Sequence, residues 1–263
     1  MQITFTESDH TDLSAQLHDK WLKSLTAPQD GMWEAFINMG TAWQVLFDGN
    51  IVGYASVGQD GRLLQFYIEP EHSEHGPYAL ESFIGKTNVS TAMVGTNNPL
   101  MLALCMHFQK NVSIDTYFFT EVVPTRLTFD FNELVPAISD DLNRIVEFCH
   151  ESVGAPKEWL NGYIGGLITR NEIHILQNDL EIMGSCEVRK SDTQESIADL
   201  GMIVSPRHRK KGVGSYLLQQ ALSKALNQGL KPICSCEKDN LGSLKSIHRN
   251  GFRSIHCLLN IGF

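Results

Sequence analysis

A short basic stretch near residue 210 carries the residue types from which phosphate-binding sites are built. Arg209, Gly212 and Gly214 follow one another with the spacing R-x-x-G-x-G, and lysines occupy positions 210 and 211. Glycine has no Cβ to hold a phosphate away from the backbone, so main-chain N–H groups reach its oxygens. The basic side chains add attraction for an anion. These residues therefore predict a site for a phosphate or pyrophosphate group.

The segments on either side of this stretch are those that an anion site requires. Residues 198–204 form an apolar run of strand length, and apolar residues recur at helical spacing from Leu217 to Leu226. A helix that starts directly after a tight turn presents its first N–H groups unpaired, and the helix dipole adds positive potential there. The strand, the turn and the helix together predict an anion cradle.

Two common phosphate motifs do not fit the stretch. The nucleotide-triphosphate motif G-x-x-x-x-G-K-[ST] is not found in the sequence, and a Rossmann motif needs glycine where Leu217 stands. The string from Val204 to Gly214, V-x-P followed by R-x-x-G-x-G, instead resembles the pyrophosphate-binding motif of the GNAT superfamily of N-acetyltransferases. The alternative is a basic turn that is merely exposed to solvent.

A second string supports this resemblance at an independent position. Asn240, Ser243, Gly251 and Phe252 are similar to the family motif N-x-x-A-x-x-x-Y-x-x-x-G-F, with serine in place of alanine. The sequence departs from the motif at Ile247, where the family often has the tyrosine that protonates the leaving thiolate. Acetyl transfer can proceed without this tyrosine, because a thiolate is a good leaving group near neutral pH. The change at Ile247 therefore affects the expected mechanism more than the expected activity.

The resemblance implies acetyl-CoA as the acetyl donor, bound by the second half of the chain. In this fold the strand that ends at Val204 splays from the strand at 233–236, and the pantetheine arm lies in the V between them. Residues 202–204 then hold the arm, with one N–H acting on the thioester carbonyl, while 209–215 wrap the pyrophosphate. The cofactor-binding residues implied in this way are Met202, Ile203, Val204, Arg209, Lys210, Lys211, Gly212, Val213, Gly214, Ser215 and Asn240.

Candidates for proton transfer surround the same V. Ser246 and His248 flank Ile247 and are the candidate substitutes for the absent tyrosine, although His248 would also suit a solvent-facing position. Asp199 is the first candidate for the base that deprotonates the amine, with Glu187 and Glu237 as alternatives. Each of these carboxylates would also suit a solvated strand edge.

No metal site is predicted. Cys234 and Cys236 lie on one face of a strand, but no second pair stands nearby at ligand spacing, so packing thiols are the expected role.

The two halves of the chain share a faint internal repeat. The segments around Asp48-Gly49-Asn50 and Asn178-Asp179 both predict hairpins, and 67–70 parallels 203–206. The first half places the acidic segment Glu71–Pro77 where the second half has its basic glycine turn. We therefore expect an α/β (α+β) protein of two GNAT-like domains, residues 1–122 and 126–263, of which the first is degenerate and binds no CoA.

Each domain is expected to contain a mixed, mostly antiparallel central sheet flanked by helices, and the V lies between strands 4 and 5 of the second copy. The pattern also predicts a strand at Leu127–Phe131. An unrelated N-terminal α+β domain is the alternative for the first half.

The composition of the chain disfavours two classes of binding partner, nucleic acids and membranes. The 263 residues carry 30 acidic and 21 basic side chains, a net charge of −9, and all of the excess falls in residues 1–124. Such a charge disfavours nucleic acid. No apolar run of the roughly 18 residues that span a bilayer occurs, and the first residues show no signal-like block, which predicts a cytoplasmic protein without a membrane partner.

The predicted function is acetyl-CoA-dependent transfer of an acetyl group to a primary amine of a small molecule or peptide, by direct attack in a ternary complex. The alternative is a non-catalytic module that binds acetyl-CoA or CoA as a sensor or scaffold, which the residue at position 247 favours. The sequence does not indicate an oligomeric state.

Overall fold

A computed structural model describes residues 2–8, 12–179 and 181–263, with the side chains of 12–14 left out. Residues 1, 9–11 and 180 of the two predicted domains lie outside the described residues. The described helices are α1 (Asp12–Ser24), α2 (Gly31–Met39), α3 (Gly76–Thr87), α4 (Pro99–Phe108), α5 (Leu142–Val153), α6 (Lys157–Thr169), α7 (Val213–Asn227) and α8 (Leu241–Arg249). The described strands are β1 (Ile3–Glu7), β2 (Thr41–Phe47), β3 (Asn50–Val57), β4 (Leu63–Ile68), β5 (Thr91–Gly95), β6 (Asn111–Val122), β7 (Val135–Pro136), β8 (Ile173–Asn178), β9 (Glu181–Lys190), β10 (Ile197–Val204), β11 (Lys231–Glu237) and β12 (Phe252–Gly262).

The chain divides into two compact units. Unit 1 contains the described residues up to Phe118 together with Ile255–Phe263, and unit 2 contains Phe119–Ser254. The predicted boundaries, 1–122 and 126–263, differ from this division mainly in the last nine residues, which pack with the first unit. The sequence pattern assigned them to the second domain because they follow its last helix directly.

Unit 1 has a mixed and mostly antiparallel sheet in the order β1-β2-β3-β4-β5-β12-β6. The hairpin between β2 and β3 turns at Asp48 and Gly49, whose φ angles of 47° and 85° are the left-handed values that such a turn requires. Strands β4 and β5 run parallel and form a single residue pair, Leu63 with Ala92, before they separate.

The last strand of the chain completes the sheet of unit 1. Residues Leu258–Gly262 of β12 pair antiparallel with Thr91–Gly95 of β5. Ile261 is completely buried in a core that includes Phe66 and Phe83. This apolar burial explains why the C-terminal segment belongs to unit 1 rather than to the domain that precedes it in the sequence.

Unit 2 has a sheet in the order β11-β10-β9-β8-β7, with antiparallel pairs from β7 to β10. Strand β10 runs parallel to β11 but pairs with it only from Ile197 to Asp199, whereas its pairing with β9 continues to Val204. The two strands therefore separate towards their carboxyl ends. This splay and the mixed sheets of both units confirm the predicted fold class.

Helices cover the two faces of the unit 2 sheet. Helices α5 and α6 pack with Ile173, Ile175 and, at its edge, Ile203. Helix α7 lies on the opposite face, because Gly184, which its Leu217 contacts, pairs with Val204, the next residue along β10. The α5–α6 face and the α7 face are thus separated by the sheet in which β10 splays.

The strand predicted at Leu127–Phe131 is wrong, because residues 123–134 form no regular element. Side chains of α7 take the carbonyls that a neighbouring strand would have paired: Gln219 donates to Leu127 O at 3.0 Å, and the Tyr216 hydroxyl donates to Asn132 O at 2.8 Å. The ring of Phe131 lies 5.2 Å from that of Tyr216. The apolar residues that suggested a strand therefore pack on a helix instead.

Candidate active site

The basic glycine stretch forms a tight turn between β10 and α7. A short 3-10 helix at Pro206–His208 leads into Lys210 and Gly212, whose φ angles of 62° and 89° are left-handed. Glycine adopts such a φ without steric cost. Helix α7 begins at Val213, directly after the turn, and has no side-chain cap. Its first N–H groups are thus available to an anion, as the sequence predicts.

Gly214 lies where three elements pack closely together. A Cβ built on this residue would lie 3.1 Å from Ser246 Oγ of α8 and 3.4 Å from both Met202 Sδ and Val204 Cγ2 of β10. The structure thus brings four of the predicted residues to one place. A larger residue would displace these side chains and crowd the first turn of α7, where N–H groups are available to an anion. The residues present therefore fit the pyrophosphate end of acetyl-CoA.

The side chain of Arg209 binds protein carbonyls. Its Nη2 donates to Ser152 O in the last turn of α5 at 2.7 Å, and its Nε donates to Val204 O at 3.3 Å. A cation at a helix C-terminus is favourable because the last carbonyls lack partners inside the helix. Arg209 therefore anchors the start of the turn to α5 and to the end of β10, a role that the motif alone does not reveal.

We expect Arg209 to favour cofactor binding by holding the strained residue that follows it. A left-handed non-glycine residue such as Lys210 costs about 1–2 kcal/mol. Arg209→Gln is therefore predicted to weaken acetyl-CoA binding about tenfold, roughly 1.4 kcal/mol, without changing its salt dependence. Calorimetric titrations at several salt concentrations measure both quantities.

A second substitution separates this role from direct phosphate contact. Adding Lys210→Gly to Arg209→Gln should restore part of the affinity, because glycine is left-handed without strain. Adding Lys210→Ala is the matched control, because it removes the same charge but keeps the Cβ. A weaker salt dependence in Arg209→Gln, with no advantage of glycine over alanine, would show instead that the guanidinium contacts phosphate.

The V between β10 and β11 opens directly below this turn. The last pair is Asp199 with Ile233, so Gly201 to Val204 pair with β9 but not with β11. Backbone groups alternate sides along an antiparallel pair, and Ser205 N bonds to Met183 O of β9. The backbone of Met202 and Val204 therefore faces the open side of the strand, where the resemblance places the pantetheine arm, whereas that of Ile203 faces β9. Val213 and Ser215, in the first turn of α7, are buried.

Asn240 begins α8 on the other side of the V. Its Oδ1 accepts a hydrogen bond from Ser243 N at 3.1 Å and caps the helix. Asn240 itself is exposed, as are Lys210 and Lys211. The capping role explains why asparagine suits this position, and its amide group lies at the helix start, where the family contact to pantetheine is expected.

The three residues around the missing tyrosine point in different directions. Ser246 Oγ donates to Gly242 O at 3.2 Å and lies beside Gly214, Ile247 is buried, and His248 is exposed. The His248 ring packs against Phe119 at 5.4 Å. Ser246 thus lies next to the turn at residues 209–214, which is the predicted cofactor turn, whereas His248 has the solvent-facing position that was its alternative role.

The predicted base Asp199 is buried in the paired part of β10, before the V opens. Glu187 lies farther along: it pairs with Gly201 across β9 and β10, and a Cβ built on Gly201 would lie 3.1 Å from Glu187 Oε2. Of Asp199 and Glu187, Glu187 therefore adjoins the splayed part of β10. Glu237, the third carboxylate named from the sequence, ends β11 beyond its last pair with β10 and is exposed. The alternating pattern of β9 places Glu187 on the α5–α6 face.

Sequence reasoning missed the residues that hold Glu187. The Tyr163 hydroxyl of α6 donates to Glu187 Oε2 at 2.6 Å, and Arg189 Nη1 donates to the Tyr163 oxygen at 2.7 Å. Burial, followed by the charge of Glu187, raises the pKa of Tyr163, so the phenol stays protonated and acts as a donor. The i, i+2 spacing of Glu187 and Arg189 was visible in the sequence, but no local signal identified Tyr163.

Unit 1 lacks the features of the cofactor turn. Residues 68–78 align with 204–214 without a gap, and the residue that corresponds to Gly212, Gly76, has a right-handed φ of −56°. Pro77 at the start of α3 has no N–H, and Tyr78 replaces Gly214. These differences support the expectation that the first copy binds no CoA, which stays a prediction.

Within the described ranges no group of three or more His, Cys, Asp and Glu residues lies close enough together to hold a metal ion. In the same ranges no helix combines the length and the apolar character needed to cross a membrane.

Comparisons with known proteins agree with this architecture. The model of the "Acetyltransferase (GNAT) domain" matches residues 10–122, and that of the "Acetyltransferase (GNAT) family" matches residues 137–252. No curated protein sequence matches the chain.

Solved structures extend the likeness to the whole chain. The chain is similar to an acetyltransferase of the GNAT family from Colwellia psychrerythraea, with 30% identity over 100% of both chains and a TM-score of 0.90. A tandem GNAT protein from the clavulanic acid biosynthesis pathway shares 14% identity and covers 99% of this chain and 98% of its own, with a TM-score of 0.66. A GCN5-related N-acetyltransferase from Sphaerobacter thermophilus shares 15% identity, with coverages of 98% and 94% and a TM-score of 0.65. The chain therefore belongs to the GNAT family of acetyltransferases and carries two GNAT domains in tandem.

Proposed function

We propose that unit 2 transfers the acetyl group of acetyl-CoA to a primary amine of a small molecule or peptide, by direct attack in a ternary complex. The observation that carries this proposal is the left-handed turn and uncapped start of α7 at the mouth of the β10–β11 splay. The turn suits a pyrophosphate, and the splay gives a thioester arm a path between two strands.

Bound acetyl-CoA supplies the acyl group as an activated thioester. The N–H groups of Met202 and Val204, on the open side of β10, orient the arm, and one of them stabilises the oxygen on which charge develops during attack. The turn from Arg209 to Ser215 fixes the pyrophosphate end. The leaving thiolate needs no dedicated acid near neutral pH, so Ile247 is compatible with turnover.

The second candidate function is a non-catalytic sensor or scaffold that binds acetyl-CoA or CoA. The buried Ile247, at the position of the family tyrosine, is the observation that favours it. A sensor needs the cofactor turn and Asn240 but no acceptor chemistry.

Calorimetric titration of acetyl-CoA, followed by thiol release with a panel of primary amines, separates these functions. Micromolar binding with amine-dependent release supports the acetyltransferase. Binding without release by any amine of a broad panel favours the sensor. Failure of the full chain to bind acetyl-CoA overturns both.

A further inference from the structure

A buried polar network lies beneath α6, on the face of the unit 2 sheet opposite α7. Its centre is the Glu187 carboxylate, whose side chain is 7% exposed and lies 3.7 Å from Arg189 Nη1. Tyr163 bridges the two, bonding Glu187 Oε2 at 2.6 Å and Arg189 Nη1 at 2.7 Å. Three polar groups at such distances fix the carboxylate in one position.

This network adjoins the proposed acetyl-transfer position through Gly201. Gly201 is the second residue of β10 beyond the last pair with β11, and it is only partly buried. Because it has no side chain, the Glu187 carboxylate lies directly against the β10 backbone. An arm inserted between the strands from the α7 side would therefore present its acyl group close to this carboxylate.

Helix α6 covers the network and extends it to the surface. The rings of Trp159 and Tyr163 stack with centroids 4.7 Å apart and an interplanar angle of 13°, and Trp159 is 43% exposed. Glycines at 162 and 165 lie where a Cβ would meet no other atom. These positions therefore leave the surface of α6 beside Trp159 free of side chains.

We infer that Glu187, Tyr163 and Trp159 form the acceptor subsite, and that it takes a primary amine carried on a flat, aromatic body. This inference rests on the proposed acetyltransferase function. The ammonium group binds Glu187, and the aromatic body stacks on the exposed face of Trp159, whose other face is covered by Tyr163.

Glu187 accepts the proton that the amine must lose before it can attack. The ammonium gives one proton to the Glu187 carboxylate, and the neutral nitrogen attacks the thioester carbon. The new C–N bond forms as the C–S bond breaks, and the thiolate takes up the second proton from the nitrogen by way of solvent. The carboxyl group then returns its proton to water, which leaves an amide and a free thiol.

Loss of the Glu187 charge tests the proton acceptor. Glu187→Gln is expected to lower kcat for phenethylamine at pH 7 by about 100-fold, the lower end of general base effects. Glu172→Gln is the matched control, because Glu172 is an equally buried carboxylate of the same unit, paired with Arg170 at 2.8 Å away from the V. The control should change kcat by less than about threefold, the factor that corresponds to roughly 0.6 kcal/mol.

Two further readouts distinguish a base from a structural residue. The ratio of wild-type to Glu187→Gln turnover should fall from pH 7 to pH 9, because more of the amine is then already neutral. The groups around Glu187 that bear on this pH dependence are Tyr163 and Arg189, the Cys149 thiol of α5 and Asp199 on the same sheet face. Acetyl-CoA affinity should stay at the wild-type value in both glutamine variants.

Trp159 tests the substrate class. Trp159→Ala should raise KM for phenethylamine by about threefold to tenfold, as the loss of one aromatic pair predicts, and leave KM for butylamine unchanged. Phe36→Ala, at a residue of unit 1 with the same 43% exposure, is the control and should change neither value.

The outcomes separate this inference from the proposed function. Wild-type turnover with unchanged kcat in Glu187→Gln, or an equal loss in Glu172→Gln, overturns the acceptor subsite while acetyl transfer stands. If Glu187→Gln does not fold, Tyr163→Phe, which removes the hydroxyl that bonds to Glu187, is the second test of the subsite. Unchanged turnover in that variant overturns the subsite. Equal effects of Trp159→Ala on both amines overturn the aromatic class. Absence of any wild-type turnover with primary amines removes the proposed function itself.

Discussion

Aspartate in place of Gly214 is expected to weaken acetyl-CoA binding by at least about 100-fold, or 2.7 kcal/mol. The new side chain would press against Ser246, Met202 and Val204, from which even a Cβ would lie only 3.1–3.4 Å away. It would fill space beside the first turn of α7 and place a carboxylate where the proposed pyrophosphate lies. A like charge in a binding site costs several kcal/mol. Calorimetric titration at fixed salt measures the loss.

Two matched variants make this prediction specific. Gly214→Ala adds only a methyl group at ordinary or slightly tight contact distance, so a loss of about tenfold or less is expected. Gly85→Asp places the same side chain at an exposed helix position of unit 1, where a Cβ meets nothing, and should not affect binding. Wild-type affinity in Gly214→Asp would place the cofactor elsewhere.

Deletion of Ile255–Phe263 is expected to unfold unit 1. The deletion removes the partner of β5 and the buried residues Leu258 and Ile261. Loss of each large buried side chain costs about 2–5 kcal/mol, and a whole domain is stable by only about 5–15 kcal/mol. Fluorescence reports this loss directly, because Trp21, Trp33 and Trp43 all belong to unit 1.

Single substitutions on β12 give the same test without a deletion. Ile261→Ala should lower the free energy of unfolding of unit 1 by about 2–5 kcal/mol, because the residue is completely buried. Ile255→Ala, the same change at a residue of the same strand that is 67% exposed, should stay within about 0.5 kcal/mol. Equal effects of the two substitutions would contradict the assigned role of β12.

The parts of the fold that local chemistry determines were predictable from the sequence. The left-handed turns at Asp48-Gly49 and at Gly212, and the cap at Asn240, depend on residues within a few positions of one another. The splay of β10 from β11 followed from the family resemblance. Local signals also predicted the glycine turn at residues 209–214, which we propose as the pyrophosphate site.

Contacts between distant segments were not predictable in this way. The segment Leu127–Phe131 has the alternation of a strand, yet residues of α7 bond to the carbonyl of Leu127 and to that of Asn132, the residue after the segment. Arg209 carries the sequence signal of a phosphate ligand, but its guanidinium contacts depend on where α5 ends. The role of Glu187 depends on Tyr163, which lies 24 positions earlier and is brought close only by the packing of α6.

The membership of β12 in unit 1 also sets the order in which the protein can fold during synthesis. Gly95 and its partner Leu258 are 163 positions apart. At about 5–20 residues per second, a ribosome needs roughly 8–30 seconds to make that interval. During this time β5 has an unpaired edge, a known risk for association with other chains, while the continuous segment Phe119–Ser254 has everything that unit 2 requires. Protease resistance of stalled nascent chains should therefore arise first in unit 2. The half of the molecule that is translated first is the half that is finished last.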